Sequence, residues 1–258
     1  MNLSISNIAW SFEKNEAMYT YMRELGFSGL EIAPTKFFPD KPYEHRKEFH
    51  LLCNALNEQY DISISSMQSI LYGMKQNLFE SNEAEELLSY LEKAYAFGEA
   101  GGGCNLVFGC PKNRSIPEGR KQSDAIPFFE KAATSALSHN CVLALEANPP
   151  MYGTNFINTT AQAFEFAREI PGLKVNLDLG TIIDRNEDLR CVEDNLYMVN
   201  HIHISEPGLA PIKKRELHRE LASILSDYGY TGYISIEMKE TENETVKSIM
   251  EYIAEIFA

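Results

Sequence analysis

Carboxylate and imidazole side chains recur in this sequence at the ends of short apolar runs, where an unpaired charge is costly. Glu146, Asp178 and Glu237 each stand near the end of such a run, and His201 and His203 lie in a fourth. Carboxylates brought together repel one another unless a cation offsets their charge. These residues predict a site for one divalent metal ion. The oxygen ligands favour Mn²⁺, Mg²⁺ or Co²⁺, and an imidazole also admits Zn²⁺.

Eight short runs are predicted as β-strands because each is β-branched or leucine-rich and is bounded by turn residues. They span residues 3–9, 29–33, 62–67, 105–109, 142–147, 174–178, 201–205 and 233–238. Amphipathic stretches between them predict helices over 15–25, 42–59, 82–100, 123–139, 160–170, 188–198, 214–228 and 241–257. Gly26 is the expected C-terminal cap of the first helix, and Thr160 the expected N-terminal cap of the fifth.

Strict alternation of strand and helix predicts an α/β fold with a parallel sheet. The chain has 258 residues, and a (β/α)8 TIM barrel takes roughly 250 as one domain. We therefore predict a single barrel of eight parallel strands over residues 1–258. A doubly wound open sheet is the alternative, but its glycine-rich loop is missing after the first strand. Active sites of barrels lie at the carboxyl ends of the strands, where the charged residues stand.

The overall composition weighs against several classes of partner. A net charge of −14 argues against nucleic acid, which requires basic patches. No apolar run approaches the ~18 residues needed to span a membrane. The five cysteines form no C-x-x-C pair, so neither a disulfide framework nor a cysteine-rich zinc site is expected. With no signal-peptide pattern at the start, we predict a cytoplasmic protein that acts on a small molecule.

Further polar and aromatic residues at strand ends are candidates for contacting a substrate. Glu31 and Gln68 stand at the ends of the second and third strands and could bind hydroxyl groups. Asn148 follows the fifth strand, and Asn7 and Trp10 follow the first. Three of them also have a structural alternative: an ion pair for Glu31, a turn for Asn148, and simple packing for Trp10.

Basic residues follow the fourth and seventh strands. Lys112 and Arg114 stand in the first of these loops, and residues 213–215 in the second. They could bind a substrate phosphate, but solvated loop charge is the default interpretation. His218 lies in the following helix, where a surface or capping role is the default.

Four sequence motifs, taken together, resemble the xylose isomerase-like barrel superfamily. That group includes sugar and sugar-phosphate isomerases and epimerases, sugar dehydratases and the endonuclease IV group. The similarity follows the whole chain in strand order and is most specific in its C-terminal half. The motifs are LEAN at 145–148, NLDLG at 176–180, HIHISE at 201–206 and GYTGYISIEM at 229–238.

The resemblance implies that Glu146, Asp178, His203 and Glu237 bind one divalent metal. It selects His203 over His201, which is then a supporting or core histidine. It also implies that Glu146 and Glu237 lie on opposite sides of the substrate. One removes a carbon-bound proton and the other returns it, by way of an enediolate.

The implied function is a metal-dependent isomerase or epimerase of a small sugar, sugar phosphate or keto-sugar. A dehydratase of the same architecture, and a sugar-binding barrel without turnover, remain alternatives. An endonuclease is disfavoured because no histidine stands at the predicted ends of strands two to four.

Two positions depart from the pattern of the epimerases. Thr181 stands where many epimerase-like members have a substrate-binding histidine, and residues 206–209 lack the arginine that often follows the strand-seven histidine. These departures leave the reaction open while the metal ligands are retained. Barrels of this kind often form dimers or tetramers, so a homo-oligomer also stays open.

Overall fold

Eight parallel strands close into one barrel in the computed structural model, which describes residues Met1 to Ala258. Each strand pairs with the next along the chain, and the last pairs with the first, always in parallel. The strands are β1 Asn2–Ser6, β2 Phe27–Ile32, β3 Ser63–Met67, β4 Asn105–Phe108, β5 Val142–Glu146, β6 Lys174–Asp178, β7 Val199–Ile204 and β8 Tyr233–Ile236. The predicted (β/α)8 TIM barrel is confirmed, and every predicted strand agrees with an observed one to within three residues at either end.

Helices surround the barrel and connect its strands. They are α1 Asn15–Glu24, α2 Arg46–Tyr60, α3 Ser81–Ala100, α4 Ile126–Ser138, α5 Thr160–Arg168, α6 Leu179–Arg185, α7 Arg190–Glu193, α8 Glu216–Tyr228 and α9 Asn243–Phe257. Short 3-10 turns occupy several loops, and one of them, Pro42–Glu44, takes the start of the predicted second helix. None of the helices is long and apolar enough to cross a membrane.

The connection after β6 differs from the prediction. A helix, α6, begins directly at the end of the strand because the side chain of Asp178 accepts a hydrogen bond from the backbone N–H of Thr181. The predicted helix over 188–198 is only the single turn α7 followed by a 3-10 turn. The cap of α5 is also shifted by one residue: Thr159, and not Thr160, accepts the hydrogen bond from Gln162 N.

Apolar side chains between the barrel and its helices form one continuous core of 69 buried residues. Each large side chain in such a core contributes about 1.5–3 kcal/mol to folding. The rings of Phe49 and Phe97 stack with centroids 3.9 Å apart between α2 and α3. Some buried polar side chains of the barrel strands are paired, as where Ser4 Oγ lies 2.7 Å from Ser65 Oγ.

Candidate active site

Four neighbouring strands bring the four residues of the implied metal site to the carboxyl end of the barrel. Glu146 ends β5, Asp178 ends β6, His203 is the last residue but one of β7, and Glu237 follows β8 directly. Asp178 pairs with His203 in the sheet, and Glu237 N donates to the carbonyl of Ile204 at 3.0 Å, which extends the β7–β8 ladder. Adjacent strands lie about 4.8 Å apart, so their end residues face one small volume.

The donor atoms of these residues converge on His203 Nδ1. This atom lies 3.1 Å from Glu146 Oε2 and 3.2 Å from Glu237 Oε2. It is buried, yet it makes no hydrogen bond of acceptable geometry to either carboxylate. Asp178, His203 and Glu237 each offer one ligand atom, and these atoms lie within 4.8 Å of one another. A nitrogen lone pair facing carboxylate oxygens requires a proton or a cation between them.

Burial and mutual repulsion change the proton affinities of this cluster. Burial raises the pKa of Glu237 to about 7, against the opposing effect of His203. Burial and the carboxylate of Glu146 raise the pKa of Asp178 above its ordinary value. Burial alone would lower the pKa of His203, but the carboxylates of Glu31 and Glu237 raise it well above its ordinary value. All three shifts reduce net negative charge, which a divalent cation would also reduce.

Glu31 contacts the imidazole of His203 at Nε2, the ring nitrogen that does not face Glu146 and Glu237. Nε2 of His203 lies 2.7 Å from Glu31 Oε2, and His201 Nε2 lies 3.3 Å from the same oxygen. When Nε2 carries the proton of this bond, Nδ1 is left as a metal-binding lone pair. Glu31, His201 and His203 also form a second group of three potential ligands. These three side chains are fully buried, and the hydrogen bond to Glu31 occupies His203 Nε2, so the outward-facing group is the better candidate.

The carboxylate of Glu146 is fixed by two amides. Asn148 Nδ2 donates to Oε1 at 2.8 Å, and Asn176 Nδ2 donates to Oε2 at 3.0 Å. The oxygen of Asn148 in turn accepts a hydrogen bond from Arg114 Nη2 at 2.7 Å. Both oxygens of Glu146 therefore have a donor, one from the loop after β5 and one from β6, and these two amides orient the carboxylate.

The carboxylate of Asp178 is fixed by Thr181 and Ser205. Thr181 N donates to Oδ2 at 2.7 Å, and Thr181 Oγ1 lies 2.8 Å from the same oxygen and 2.9 Å from the carbonyl of Ala147. The hydroxyl of Ser205 donates to Oδ1 and accepts from Gly180 N. Thr181 is fully buried. It therefore supports Asp178, and its side chain does not face the cavity as a substrate-binding histidine would.

A cavity of about 580 Å³ opens above these residues, within the usual size range of small-molecule sites. Five of the candidate metal and substrate ligands line it: Gln68, Glu146, Asn148, Asp178 and Glu237. Loops after β3, β4, β5 and β7 supply most of the remaining wall. Those further lining residues are Ser69, Leu71, Tyr72, Gly73, Met74, Lys75, Val107, Gly109, Cys110, Pro111, Lys112, Asn113, Tyr152, Ser205 and Leu209.

Three residues expected to contact substrate are not among those that line the cavity, and their contact with a substrate stays a prediction. Glu31 is enclosed in the barrel, with its oxygens used by Gln68 and the two histidines. Asn7 Oδ1 accepts a hydrogen bond from Ala33 N at 2.9 Å, which ties the β1 and β2 loops together. Trp10 is fully buried, and its Nε1 donates to Asn15 Oδ1 at 2.8 Å. Each of these side chains has a structural role below or beside the cavity.

The basic residues also differ from the default interpretation. Arg114 is fully buried, so the prediction of a solvated loop charge is wrong for this residue. Arg215 forms a two-pronged pair with Glu206, at 2.7 Å and 2.6 Å, and is not free to bind a phosphate. His218 is buried as well, with Nδ1 3.0 Å from the hydroxyl of Tyr252, so the expected surface position is wrong. Lys112 lies in the cavity wall.

Sequence reasoning missed two glycines that make room for the carboxylates. A Cβ at Gly109 would lie 3.1 Å from Glu146 Oε1, and one at Gly180 would lie 2.9 Å from Ser205 Oγ and 3.2 Å from Asp178 Oδ2. It also missed Asn176 and Ser205. Both stand two residues from a predicted ligand, and alternate residues of a strand share a face. That spacing was the signal in the sequence.

Comparisons with known proteins agree with this architecture. A protein-family model described as a xylose isomerase-like TIM barrel matches residues 19–256. The fold is similar to that of 3-keto-D-glucoside 4-epimerase, YcjR, from E. coli, with a TM-score of 0.73 and 16% identity over 99% of this chain and 98% of that one. An AP endonuclease, family 2, from Brucella melitensis has a TM-score of 0.74 and 18% identity, with 100% of both chains covered.

A D-psicose 3-epimerase solved in the presence of D-fructose is also similar, with a TM-score of 0.72 and 16% identity over 97% of this chain and 89% of that one. At such low identities the likeness to solved structures concerns the fold alone. A search of the curated proteins found no match.

Proposed function

The chain belongs to the xylose isomerase-like TIM barrel family, and we propose that it is a divalent-metal-dependent isomerase or epimerase of a small sugar or sugar derivative. One observation carries the proposal: His203 Nδ1 faces the carboxylates of Glu146 and Glu237 at 3.1 and 3.2 Å without forming a proper hydrogen bond. Asp178 completes a set of three carboxylates and one imidazole. That set suits Mn²⁺, Mg²⁺ or Co²⁺ and admits Zn²⁺.

The residues of this chain would divide the chemistry as follows. Glu146, Asp178, His203 and Glu237 would hold a divalent ion, which would supply Lewis-acid polarisation of the substrate carbonyl. Glu146 and Glu237 extend from β5 and β8, so that one removes a proton from carbon and the other returns it. Asn148 and Asn176 hold Glu146 in place, which keeps the base in one orientation during proton transfer.

The cavity and the names of two similar structures support the proposed substrate class. Two of the similar structures are a keto-glucoside epimerase and a ketose epimerase, which supports a sugar-like substrate. The chain's charge of −14 and the acidic floor of the cavity oppose binding of nucleic acid. The five cysteines are all free thiols, which supports the proposal of a reducing, cytoplasmic location.

The proposal is tested by exchange of carbon-bound protons with solvent. The protein is incubated with Mn²⁺ and a panel of ketoses and keto-acids in D2O, and deuterium incorporation is followed by NMR. We expect incorporation that Glu146→Gln and Glu237→Gln abolish, while Glu16→Gln on the exposed face of α1 leaves it unchanged. Exchange accompanied by loss of water would identify the dehydratase alternative. No exchange with any candidate would exclude proton-transfer catalysis on these substrates.

The metal site is tested separately by metal content. The double variant Glu146→Gln with Glu237→Gln removes two of the three carboxylates from the cluster, so the protein should no longer retain Mn²⁺ after dialysis. Unchanged metal content in that variant would overturn the ligand assignment. A native protein that binds both metal and a sugar but catalyses no exchange would instead support a barrel that binds a sugar without turnover.

A further inference from the structure

Arg114 is a fully buried cation with no carboxylate in ion-pair contact. It lies in the loop after β4, and its Nη1 donates to the carbonyl of Phe108 at 3.4 Å. Its Nη2 donates to Asn148 Oδ1 at 2.7 Å, and its Nε has no partner. The guanidinium lies 5.7 Å from the centroid of the Phe156 ring. Burying an incompletely paired charge is costly. Packing alone therefore does not account for an arginine at position 114.

The contact with Arg114 determines which way the amide of Asn148 points. A guanidinium has only donors, so the oxygen of Asn148 must face it. The Nδ2 group is then directed to Glu146 Oε1, at 2.8 Å, and to the carbonyl of Ala147, at 3.1 Å. With the amide reversed, its oxygen would face the carboxylate of Glu146 and repel it. Arg114 therefore excludes the reversed orientation.

The space around this contact is small. A Cβ at Gly109 would lie 3.1 Å from Glu146 Oε1 and 3.6 Å from Asn148 Oδ1. The second oxygen of Glu146 accepts from Asn176 and lies 3.1 Å from His203 Nδ1. A change in the amide of Asn148 is thus transmitted to the carboxylate at the centre of the site.

We propose that Arg114 is a positioning residue, which orients the carboxylate of Glu146 by fixing the amide of Asn148. Its charge also offsets the negative charge that three carboxylates leave around one divalent cation. The inference rests on the proposed function in so far as Glu146 is a metal ligand and a base. It adds a residue outside the ligand set that the metal site depends on.

The first test measures position in crystals of Arg114→Met grown without added metal. Methionine keeps much of the length of the side chain and removes every donor. We expect the Asn148 side chain to shift, because its oxygen loses the donor that holds it, and the contact between Asn148 Nδ2 and Glu146 Oε1 to lengthen. Arg120→Met, an exposed residue in the same loop, should leave the contact unchanged. An Asn148–Glu146 distance that stays at 2.8 Å in Arg114→Met would overturn the inference, whether or not the protein binds metal.

The second test is a double-mutant cycle that uses Mn²⁺ affinity as the readout. Arg114→Met and Asn148→Ala should each weaken binding by about 10- to 100-fold. The double variant should bind no more weakly than the worse single one, because both act through one contact. Losses that multiply, or a loss of folding stability with unchanged Mn²⁺ affinity, would indicate a merely structural arginine.

Arg114→Lys covers the case in which the methionine variant does not fold. Lysine keeps the charge but lacks the planar fork that reaches Phe108 and Asn148 together, so Mn²⁺ affinity should fall between those of the native protein and Asn148→Ala. Native affinity in Arg114→Lys would overturn the orienting role. If the native protein binds no Mn²⁺, the proposed function fails, and the crystal positions still decide the inference about Arg114.

Discussion

His203 Nε2 lies 2.7 Å from Glu31 Oε2, in a contact that crosses the barrel interior from β7 to β2. Both side chains are completely buried. Because β2 and β7 are not neighbours in the sheet, the contact fixes the imidazole independently of the strands that carry the other candidate ligands. It directs Nδ1 toward Glu146 and Glu237 and makes Glu31 part of the support of the site.

Replacing Glu31 should therefore weaken metal binding, although this residue is not one of the four candidate ligands and does not line the cavity. Glu31→Gln keeps the shape of the side chain but removes the charge that accepts the His203 proton. We expect Mn²⁺ affinity, measured by calorimetry, to fall about 10- to 100-fold. Glu16→Gln on the surface of α1 is the control and should bind as the native protein does. Equal affinity in Glu31→Gln would contradict a supporting role for this carboxylate.

A methyl group at Gly109 should displace the carboxylate of Glu146. The added Cβ would lie 3.1 Å from Oε1, closer than most real Cβ contacts. We expect Gly109→Ala to fold and to lose roughly tenfold or more in deuterium exchange, since small displacements of catalytic groups are costly. Gly119→Ala, in the same loop, adds backbone strain at a φ of +78° but meets no atom, so it should lower stability and leave exchange unchanged. The reverse pattern would count against the steric argument.

The sequence predicted the metal-site cluster because parallel strands bring their carboxyl ends together. Four consecutive strands, β5 to β8, each carry one of the candidate ligands at this end: Glu146, Asp178, His203 and Glu237. Closure of the barrel brings these ends together. The order of the strands was enough to predict that these four side chains lie together, and that order could be read from the pattern of apolar runs in the sequence. Metal binding itself stays a prediction.

How far below the cavity a strand-end side chain lies could not be predicted from strand order. Glu31 also stands near a strand end, but it pairs with Ser6 and Ser66 in the layer beneath the cavity. Strand tilt and stagger set that depth, and alternation along one strand contains no information about it. The prediction that Arg114 is a solvated loop charge was wrong for a different reason. A loop arginine is ordinarily solvated, and here the loop passes so close to Asn148 that the guanidinium is enclosed.

The hydroxyl group of Thr181, and not merely the volume of its side chain, should stabilise the carboxylate of Asp178. Thr181→Val keeps the shape of the side chain and removes the oxygen that lies 2.8 Å from Asp178 Oδ2. A buried carboxylate that loses a donor should be less stable, so we expect about 1–3 kcal/mol lower free energy of unfolding and weaker Mn²⁺ binding. Thr181→Ser retains the hydroxyl and should recover most of the metal affinity. If valine and serine behave alike, the hydrogen bond has no such role.

His218 should make the protein sensitive to acid. Burial lowers the pKa of this histidine to about 4 from an ordinary value of 6.5, with Arg215 adding to the effect and Glu206 opposing it. Between these two pH values the unfolded chain binds a proton that the folded protein does not, so the free energy of unfolding falls as the pH falls from 6.5 toward 4. At pH 5, His218 should lower the free energy of unfolding by about 2 kcal/mol relative to its value at pH 7.5.

The measurement compares urea unfolding of the native protein and His218→Gln at pH 7.5 and pH 5. Other titrating groups affect both proteins alike, so the difference between their two pH dependences isolates His218. At pH 7.5 the variant should be slightly less stable, because the hydrogen bond between Nδ1 and the Tyr252 hydroxyl is lost. At pH 5 this deficit should disappear or reverse, since glutamine acquires no charge in the unfolded chain. Parallel stability curves across this range would mean that His218 ionises as freely in the folded protein as in the unfolded one.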